Sequence, residues 1–336
     1  MRLTPKRAEW AARWLVLALA LGLPLAGLGA RAWDGSRHSI EVHARMAEEG
    51  GWLPGDLTAV AGEPLQLRLV SDDVVHGFAV GQSDAPALDL PPGQVVETTL
   101  MFDQPGTYTY YCTRWCGLGH WRMRGTITVT GVETAAAGVV EAPLYMRLGL
   151  DLDTPHPAAT VPTERPVAAD GATLSGRIPL ALLERETYET TSPASVWEEL
   201  RGAPSTQVLS NTQVWDLVAW IWRSQTTTAD LAEGRELYAA NCAACHGEQG
   251  AGDGVFAAAV EAQGHTSLGH SPRAPAAFND PVQMLGASSA VLHGKIIRGG
   301  MGTGMPYWGP ILNERQIWTL IDYVWSFQFG YGDEGP

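Results

Sequence analysis

The sequence lacks the basic runs that nucleic-acid binding requires. Its 22 Lys and Arg residues stand against 36 Asp and Glu residues, and the formal net charge is −14. Phosphate binding needs a basic surface, so this composition excludes a nucleic-acid-binding protein. An acidic chain is better suited to basic protein partners.

The chain also lacks a set of residues for bond-breaking catalysis. We find no convincing nucleophile with its base and no acid–base pair. We therefore expect bound cofactors to carry the chemistry, with no substrate bond broken in this chain. A length of 336 residues predicts two or three domains.

Cysteine is scarce, with four residues in the whole chain. They fall in two close pairs, Cys112 with Cys116 and Cys242 with Cys245, and a His follows each pair immediately or shortly downstream. Two disulfides would be the first expectation for an exported protein. The spacing instead assigns all four thiols to two cofactor sites, which leaves no structural disulfide.

Only one stretch of the chain is a candidate for a membrane segment, and it lies in residues 1–32. Four basic residues precede Trp14, and an apolar stretch then continues to about Ala30. Its length is at the lower limit for a spanning helix, whereas Ala30-Arg31-Ala32 has the form of a cleavage site. We favour an uncleaved anchor helix, with a cleaved signal peptide as the alternative. Both place the rest of the chain outside the cytoplasm.

Short β-rich runs separated by Gly, Pro and Asp fill residues 38–131. This spacing predicts an antiparallel β-sandwich. Residues 132–164 are predicted to be a linker, because the sequence from Thr154 to Asp170 is rich in Pro, Ala and Thr, which suits an extended, exposed chain. The β-rich runs are Pro64–Val70, His76–Val80, Gln94–Phe102, Thr107–Tyr111 and Gly125–Thr130.

One compact segment contains a set of soft metal ligands. Cys112 and Cys116 lie four residues apart, His120 follows four residues later, and Met123 lies three residues beyond it. Thiolate, thioether and imidazole groups together suit copper. A mononuclear blue-copper site uses one Cys, so a second thiolate that can bridge indicates two copper ions. The second imidazole should come from a separate strand, and we predict that His76 supplies it.

These residues resemble the Cu-A site of subunit II of haem-copper oxidases, in which an upstream His joins the pattern Cys-x3-Cys-x3-His-x2-Met. The run Cys-Gly-Leu-Gly-His is most similar to the ba-type (B-family) subunit. The resemblance implies a cupredoxin Greek key over residues 38–131 and a further copper ligand, the backbone carbonyl of Arg114. The alternative is a disulfide between Cys112 and Cys116 with an incidental His and Met.

A second motif predicts covalent haem. Asn241-Cys242-Ala-Ala-Cys245-His246 has the Cys-x-x-Cys-His form of a c-type attachment site. Two thiols one helical turn apart can both form thioethers to the haem vinyl groups, and the adjacent His246 then reaches the iron. A chance match or a redox-active Cys pair is the alternative.

The sixth iron ligand should be a Met well downstream of the attachment motif, because His and Met ligation is typical of c-type haems of high potential. Met284, Met301 and Met305 lie in the right region. The run from Gly302 to Pro306 resembles the Met-Pro loop of class I cytochromes c. This favours Met305 as the ligand, with Met301 as the alternative.

The last third of the chain predicts helices alternating with Gly-rich loops, and the clearest helix runs from Asn313 to Phe327. A second copy of this ending lies upstream, because Gln213 to Trp222 matches Gln316 to Trp325 at a constant offset. The upstream copy has no Cys and no Met at the haem positions. We therefore interpret residues 165–228 as a cytochrome-like unit without haem and residues 229–330 as the cytochrome c domain. Two unrelated Trp-rich helices are the alternative.

A copper domain followed by a cytochrome domain resembles the fused subunit II of caa-type oxidases. The expected fold class is multidomain: an anchor helix, an antiparallel cupredoxin sandwich, then all-α cytochrome c-like units. The resemblance implies binuclear copper and one covalently bound haem c. It also implies three partners: the membrane, a soluble electron-donor protein, and oxidase subunit I, which receives the electrons. The alternative is a periplasmic or tethered electron shuttle serving another respiratory complex or reductase.

Overall fold

The computed structural model describes residues 39–83, 85–117, 119–132, 142–263, 274–300 and 304–331, together with Trp10, Trp14 and Ala20. Among these residues, no helix combines the length and the apolar character needed to cross a membrane. Apart from the three isolated residues, the expected anchor at residues 1–32 lies outside the described part. The chain divides into two compact units, one built mainly of strands and the other mainly of helices.

The strands form a β-sandwich of two sheets. They are β1 (Ile40–Ala44), β2 (Trp52–Leu53), β3 (Asp56–Val60), β4 (Leu65–Ser71), β5 (His76–Val80), β6 (Leu88–Leu90), β7 (Val95–Leu100), β8 (Gly106–Tyr111) and β9 (Arg124–Thr130). One sheet has the order β2-β1-β4-β7 and the other β3-β9-β8-β5-β6. Each of the five β-rich runs predicted from the sequence corresponds to one of these strands, because alternate apolar residues such as Leu65, Leu67 and Leu69 are buried.

The sandwich is mixed, which corrects the expectation of a purely antiparallel one. β1 is parallel to β4, with Ile40 paired to Leu67, and β3 is parallel to β9, with Asp56 paired to Thr126. β4 and β7 are antiparallel, as are β5 and β8. Apolar alternation predicts a strand but not its direction, because the pleat buries every second residue whichever way the partner runs.

The helical part follows residue 142. Its helices are α1 (Leu144–Arg147), α2 (Ala168–Leu174), α3 (Arg185–Thr190), α4 (Pro193–Gly202), α5 (Asn211–Arg223), α6 (Thr228–Asn241), α7 (Ala243–His246), α8 (Ala257–Gln263), α9 (Pro281–Met284), α10 (Ser289–Arg298) and α11 (Glu314–Trp325). α11 confirms the helix predicted from Asn313 to Phe327. The interval 132–164 is only partly exposed where the structure describes it, since Leu152 is 3% exposed. The described part of this interval contains α1 and otherwise no helix or strand, and its burial at Leu152 corrects the expectation of an exposed linker.

Two helix crossings in this part have the same register. α5 and α11 each begin with a capping box, formed by Ser210 with Gln213 and by Asn313 with Gln316. α2 crosses α5 at Gly171, where an added Cβ would lie 2.0 Å from the backbone oxygen of Asp216. α6 crosses α11 at Gly234, where it would lie 2.4 Å from the oxygen of Thr319. Asp216 and Thr319 each follow the capping Gln by three residues, so both crossings share one register.

The helices that pack beside these crossings also correspond. α4 and α10 both have ten residues, and each is capped by a Ser that accepts from a backbone N–H. Trp197 of α4 stacks on Trp215 at 5.6 Å, and His293 of α10 stacks on Trp318 at 4.7 Å. α4 therefore lies beside α5 as α10 lies beside α11.

Tyr188 of α3 and Asp322 of α11 form a hydrogen-bonded pair inside the helical core. The Tyr188 hydroxyl donates to Asp322 Oδ1, and both side chains are buried. The Arg185 guanidinium lies 4.6 Å from the centre of the Tyr188 ring. Burial raises the pKa of Asp322 to about 6, although the hydrogen bonds from Tyr188 and Thr226 and the charge of Arg185 oppose this rise. Folding therefore favours the protonated carboxyl more than the unfolded chain does.

Asp322→Asn is expected to stabilise the protein near neutral pH. The pKa of Asp322 in the folded state exceeds its ordinary value of 3.8. Protonated Asp322 therefore contributes fully to the free energy of unfolding below about pH 4, and this contribution is lost as the pH rises through about 6. A neutral amide does not ionise and so avoids this loss. The free energy of unfolding of Asp322→Asn should therefore exceed that of the wild-type protein by about 1–3 kcal/mol at about pH 7. Urea unfolding across this pH range measures the effect. Tyr188→Phe keeps the carboxyl but removes a hydrogen bond that lowers its pKa, so the pH dependence should remain and become larger. An Asn variant with the wild-type pH profile would contradict the prediction.

Candidate copper and haem sites

The residues predicted to bind copper lie at one end of two neighbouring strands. His76 is the first residue of β5, Cys112 follows β8 directly, and Met123 directly precedes β9. β5 and β8 are antiparallel, with Ala79 paired to Tyr111. Continuing this register brings His76 beside the residues that follow Tyr111. Strand pairing therefore explains how a His distant in sequence reaches the loop that contains both Cys residues.

The side-chain donor atoms converge. One ligand atom from each of His76, Cys112 and Cys116 lies within 4.8 Å of the other two. Cys116 Sγ is 3.6 Å from His120 Nδ1 and 3.3 Å from Met123 Sδ. All five side chains are buried, with none more than 7% exposed. The structure thus brings together two thiols, two imidazoles and a thioether in a pocket that excludes water.

The structure places the backbone oxygen of Arg114 in the same group, 3.3 Å from Cys112 Sγ. Cys112 and Cys116 are both free thiols, so the disulfide alternative is not observed. The Trp115 ring packs 4.5 Å from the His120 ring. Soft sulfur donors combined with imidazole select copper. The buried donor set therefore fits a copper centre.

Asp73 orients His76, and the sequence motif did not assign it. Asp73 Oδ1 lies 2.6 Å from His76 Nε2, and the backbone N–H groups of Met46 and Val74 donate to the same carboxylate at 2.7 and 2.6 Å. Burial opposes ionisation, but these hydrogen bonds lower the pKa of Asp73 overall. With Nε2 hydrogen-bonded to Asp73, Nδ1 is the ring nitrogen through which His76 would bind a metal. The only sequence signal was an acidic residue three positions before the ligand.

Asp73→Ala is expected to weaken copper binding by about 10- to 100-fold, because hydrogen bonds that orient a metal-binding His typically contribute this much. The matched control is Asp72→Ala. Asp72 pairs with His43 and Arg45 at 2.8 and 2.7 Å rather than with a predicted ligand. Competition with a copper chelator measures the affinities. Equal losses in the two variants would show that Asp73 acts only as a surface charge.

The haem attachment residues lie where α6 ends. Cys242 is the C-cap of α6, and Cys245 and His246 lie on the short helix α7. His246 Nδ1 is 3.0 Å from the backbone oxygen of Ala276, and its ring stacks on Phe278 at 4.4 Å. With Nδ1 held by a carbonyl oxygen, Nε2 is left to bind iron.

Burial keeps the two thiols of this motif protonated. It raises the pKa of Cys242 to about 12 and also raises the pKa of Cys245. A redox-active Cys-x-x-Cys pair needs a lowered thiol pKa. Burial also lowers the pKa of His246, so its imidazole is neutral and able to bind a metal. These groups therefore fit haem attachment better than a redox-active Cys pair.

Met305 packs against the same hydrophobic core as Cys242. The Gly300 N–H donates to the Met305 oxygen at 3.0 Å, which closes the loop after α10. Met284, the weakest candidate for the sixth iron ligand, is 3% exposed in this core. Met301, the alternative to Met305, lies outside the described residues.

Two family models match the chain. The periplasmic domain of cytochrome c oxidase subunit II matches residues 56–132, and subunit III of cbb3-type cytochrome c oxidase matches residues 229–324. The first match contains every predicted copper residue. The second contains the haem attachment motif and Met305.

Individual relatives each match one part of the chain. Cytochrome c oxidase subunit 2 of Thermus thermophilus is 35% identical over 79 residues, which cover 24% of this chain and 58% of that protein. The cbb3-type cytochrome c oxidase subunit FixP of Azorhizobium caulinodans is 34% identical over 97 residues, which cover 29% of this chain and 27% of that protein. The chain spans about half the length of the Thermus thermophilus subunit 2 relatives, 58% and 46%.

Among solved structures, the chain is similar to the periplasmic domain of cytochrome oxidase subunit II of Bradyrhizobium japonicum. The identity is 18% and the TM-score 0.24, over 27% of this chain and 83% of that one. The two family matches are consecutive along the sequence and do not overlap. The chain therefore joins a domain of the cytochrome c oxidase subunit II family to a cytochrome c domain.

Proposed function

We propose that this chain transfers electrons through a binuclear copper centre and one haem c, as the subunit at which electrons enter a haem-copper oxidase. The observation that carries the proposal is the buried convergence of Cys112 and Cys116 with His76, His120 and Met123. Two thiols at the centre of one donor set are more than a single copper ion requires.

The copper pair would be held by these five side chains and by the backbone oxygen of Arg114. Cys242 and Cys245 would attach the haem, with His246 and Met305 as iron ligands. When bound, both groups would take up and release single electrons. The chain fixes the donors in advance: Asp73 holds the His76 ring, and the two sheets bury the sulfur atoms. Little then needs to rearrange when the charge of the site changes by one.

We infer that most of the chain lies outside the cytoplasm, tethered to the membrane by residues 1–32. The match to a periplasmic domain supports this placement. The proposed partners are the oxygen-reducing subunit I of the oxidase and a soluble electron-donor protein. The names of the relatives, which are oxidase subunits, support an oxidase rather than a free shuttle.

The test combines metal analysis with paramagnetic resonance on the reconstituted full chain. We expect two copper ions per haem iron and a hyperfine pattern from one electron shared over two copper nuclei. A pattern from one copper nucleus would overturn the binuclear site. Affinity purification from the native membrane should also recover the oxygen-reducing subunit, whereas a shuttle would purify without it.

We also propose that residues 165–228 are a haem-free copy of the cytochrome unit. The equal crossings at Gly171 and Gly234 support this proposal. Aligning these two glycines places Pro179, Leu182 and Leu183 where the downstream copy has its Cys, Cys and His. None of these side chains can attach haem, so the full chain should contain one haem iron.

A further inference from the structure

Residues 144–158, which we call the strap, dock onto α10 rather than forming a free linker. Leu152 is 3% exposed and packs against Val291. A Cβ atom added to Gly294, in the middle of α10, would lie 2.8 Å from side-chain atoms of both Leu152 and Tyr145. The strap therefore fits against a point on the helix where only a glycine leaves room for it.

Polar contacts hold the strap beyond this apolar contact. The Ala158 N–H donates to the Val282 oxygen at 2.9 Å. Asp153 binds Arg298 through both carboxylate oxygens, with N–O distances of 3.0 and 2.6 Å. Arg298 is the last residue of α10. The ion pair therefore fixes the strap to the C-terminal end of that helix.

The same end of α10 holds the segment that contains Met305. Gly299 has a φ of 71°, and a Cβ there would lie 2.8 Å from the Met305 oxygen. The Gly300 N–H donates to that oxygen at 3.0 Å, and the Trp308 N–H donates to the Ile296 oxygen at 3.0 Å. Since the segment is bonded directly to the end of α10, a displacement of this end would move Met305.

We propose that the Asp153–Arg298 pair positions Met305 on the haem iron, which makes Asp153 and Arg298 positioning residues. This inference rests on the proposed function, because it requires Met305 as the sixth ligand. A two-point Arg–carboxylate contact fixes orientation as well as distance. The pair is partly exposed, with side-chain exposures of 23% for Arg298 and 53% for Asp153. Exposed pairs add little to overall stability, so its effect should fall on the position of the loop.

The test is Asp153→Asn in the full-length protein with haem bound. The ferric charge-transfer absorption of Met-bound haem, followed against pH, gives the equilibrium constant for Met detachment. We expect the detachment constant to rise by about 3- to 10-fold in Asp153→Asn, because this is the size of effect that losing one two-point Arg–carboxylate contact has on an equilibrium. The haem reduction potential should fall as well, because the Met-bound fraction decreases. Asp153→Glu keeps the carboxylate and should restore most of both values.

Glu233→Gln is the matched control. Glu233 and Arg315 form another two-point pair, with N–O distances of 2.6 Å, but it joins α6 to α11 rather than the strap to α10. This variant should keep the wild-type detachment constant, while both variants should have similar unfolding midpoints. Leu152→Ala, which removes the apolar anchor of the strap, should shift detachment in the same direction as Asp153→Asn.

The outcomes separate this inference from the function on which it rests. If wild-type protein shows the Met–iron absorption and Asp153→Asn behaves like Glu233→Gln, the positioning role is wrong and the haem proposal stands. If wild-type protein binds haem but lacks this absorption altogether, Met305 is not the sixth ligand and the positioning role is wrong, while the copper and haem contents still decide the proposed function.

Discussion

Cys116→Ser is expected to abolish the shared-electron copper signal. Cys116 Sγ lies 3.6 Å from His120 Nδ1 and 3.3 Å from Met123 Sδ, so it connects that side of the donor set with Cys112 and His76. A Ser hydroxyl is a hard donor that does not replace a bridging thiolate. We expect the copper content to fall from two ions per chain to one or none. The remaining paramagnetic signal should come from a single copper nucleus.

The haem is an internal control for Cys116→Ser, because its predicted ligands lie in the other domain. Iron content and the c-type optical spectrum should remain at wild-type values. Thr113→Ser is the matched control in the same loop, since it removes a methyl group and no metal donor. A Cys116→Ser protein that retains two copper ions and the shared-electron signal would contradict the binuclear assignment.

Met305→Leu is expected to lower the reduction potential of the haem by tenths of a volt, because axial ligands set haem potentials over a range of roughly 0.8 V. The ferric Met–iron charge-transfer absorption should disappear with it. Leu has nearly the volume of Met, so the packing of Met305 against the helical core should be preserved. Redox titration of the purified protein measures the shift.

Met301→Leu and Met284→Leu are the controls for this prediction. Met284 is buried in the helical core, so its replacement tests whether repacking alone changes the potential. Both controls should keep the absorption and the potential of the wild-type protein. Loss of the absorption in Met301→Leu, with Met305→Leu unaffected, would instead identify Met301 as the sixth ligand.

Local sequence patterns predicted most of the elements that carry the copper site. The runs that became β5 and β8 were evident because strand burial repeats every second residue. The four donors from Cys112 to Met123 were evident because they lie in one short loop. Asp73 was missed because its role depends on how its side chain meets the His76 ring, which spacing alone does not show.

Patterns of composition predicted less about how segments dock. A stretch rich in Pro, Ala and Thr predicts irregular backbone, and residues 148–158 contain no helix or strand. The burial of Leu152 depends on the gap left at Gly294, a residue far away in sequence. The buried pair of Tyr188 and Asp322 was missed for the same reason, since its partners come from separate helices.

By itself, the sequence determined which donor residues the two candidate sites offer, because the ligand types and their spacing are local properties of short segments. It also indicated the five β-rich runs and the helix from Asn313 to Phe327, which the structure has as strands and a helix. Only the tertiary structure decided that Asp73 holds the His76 ring, which sheet partners are parallel, and where the strap lies. These outcomes depend on strand register and side-chain packing between residues far apart in the chain, and local patterns do not encode them.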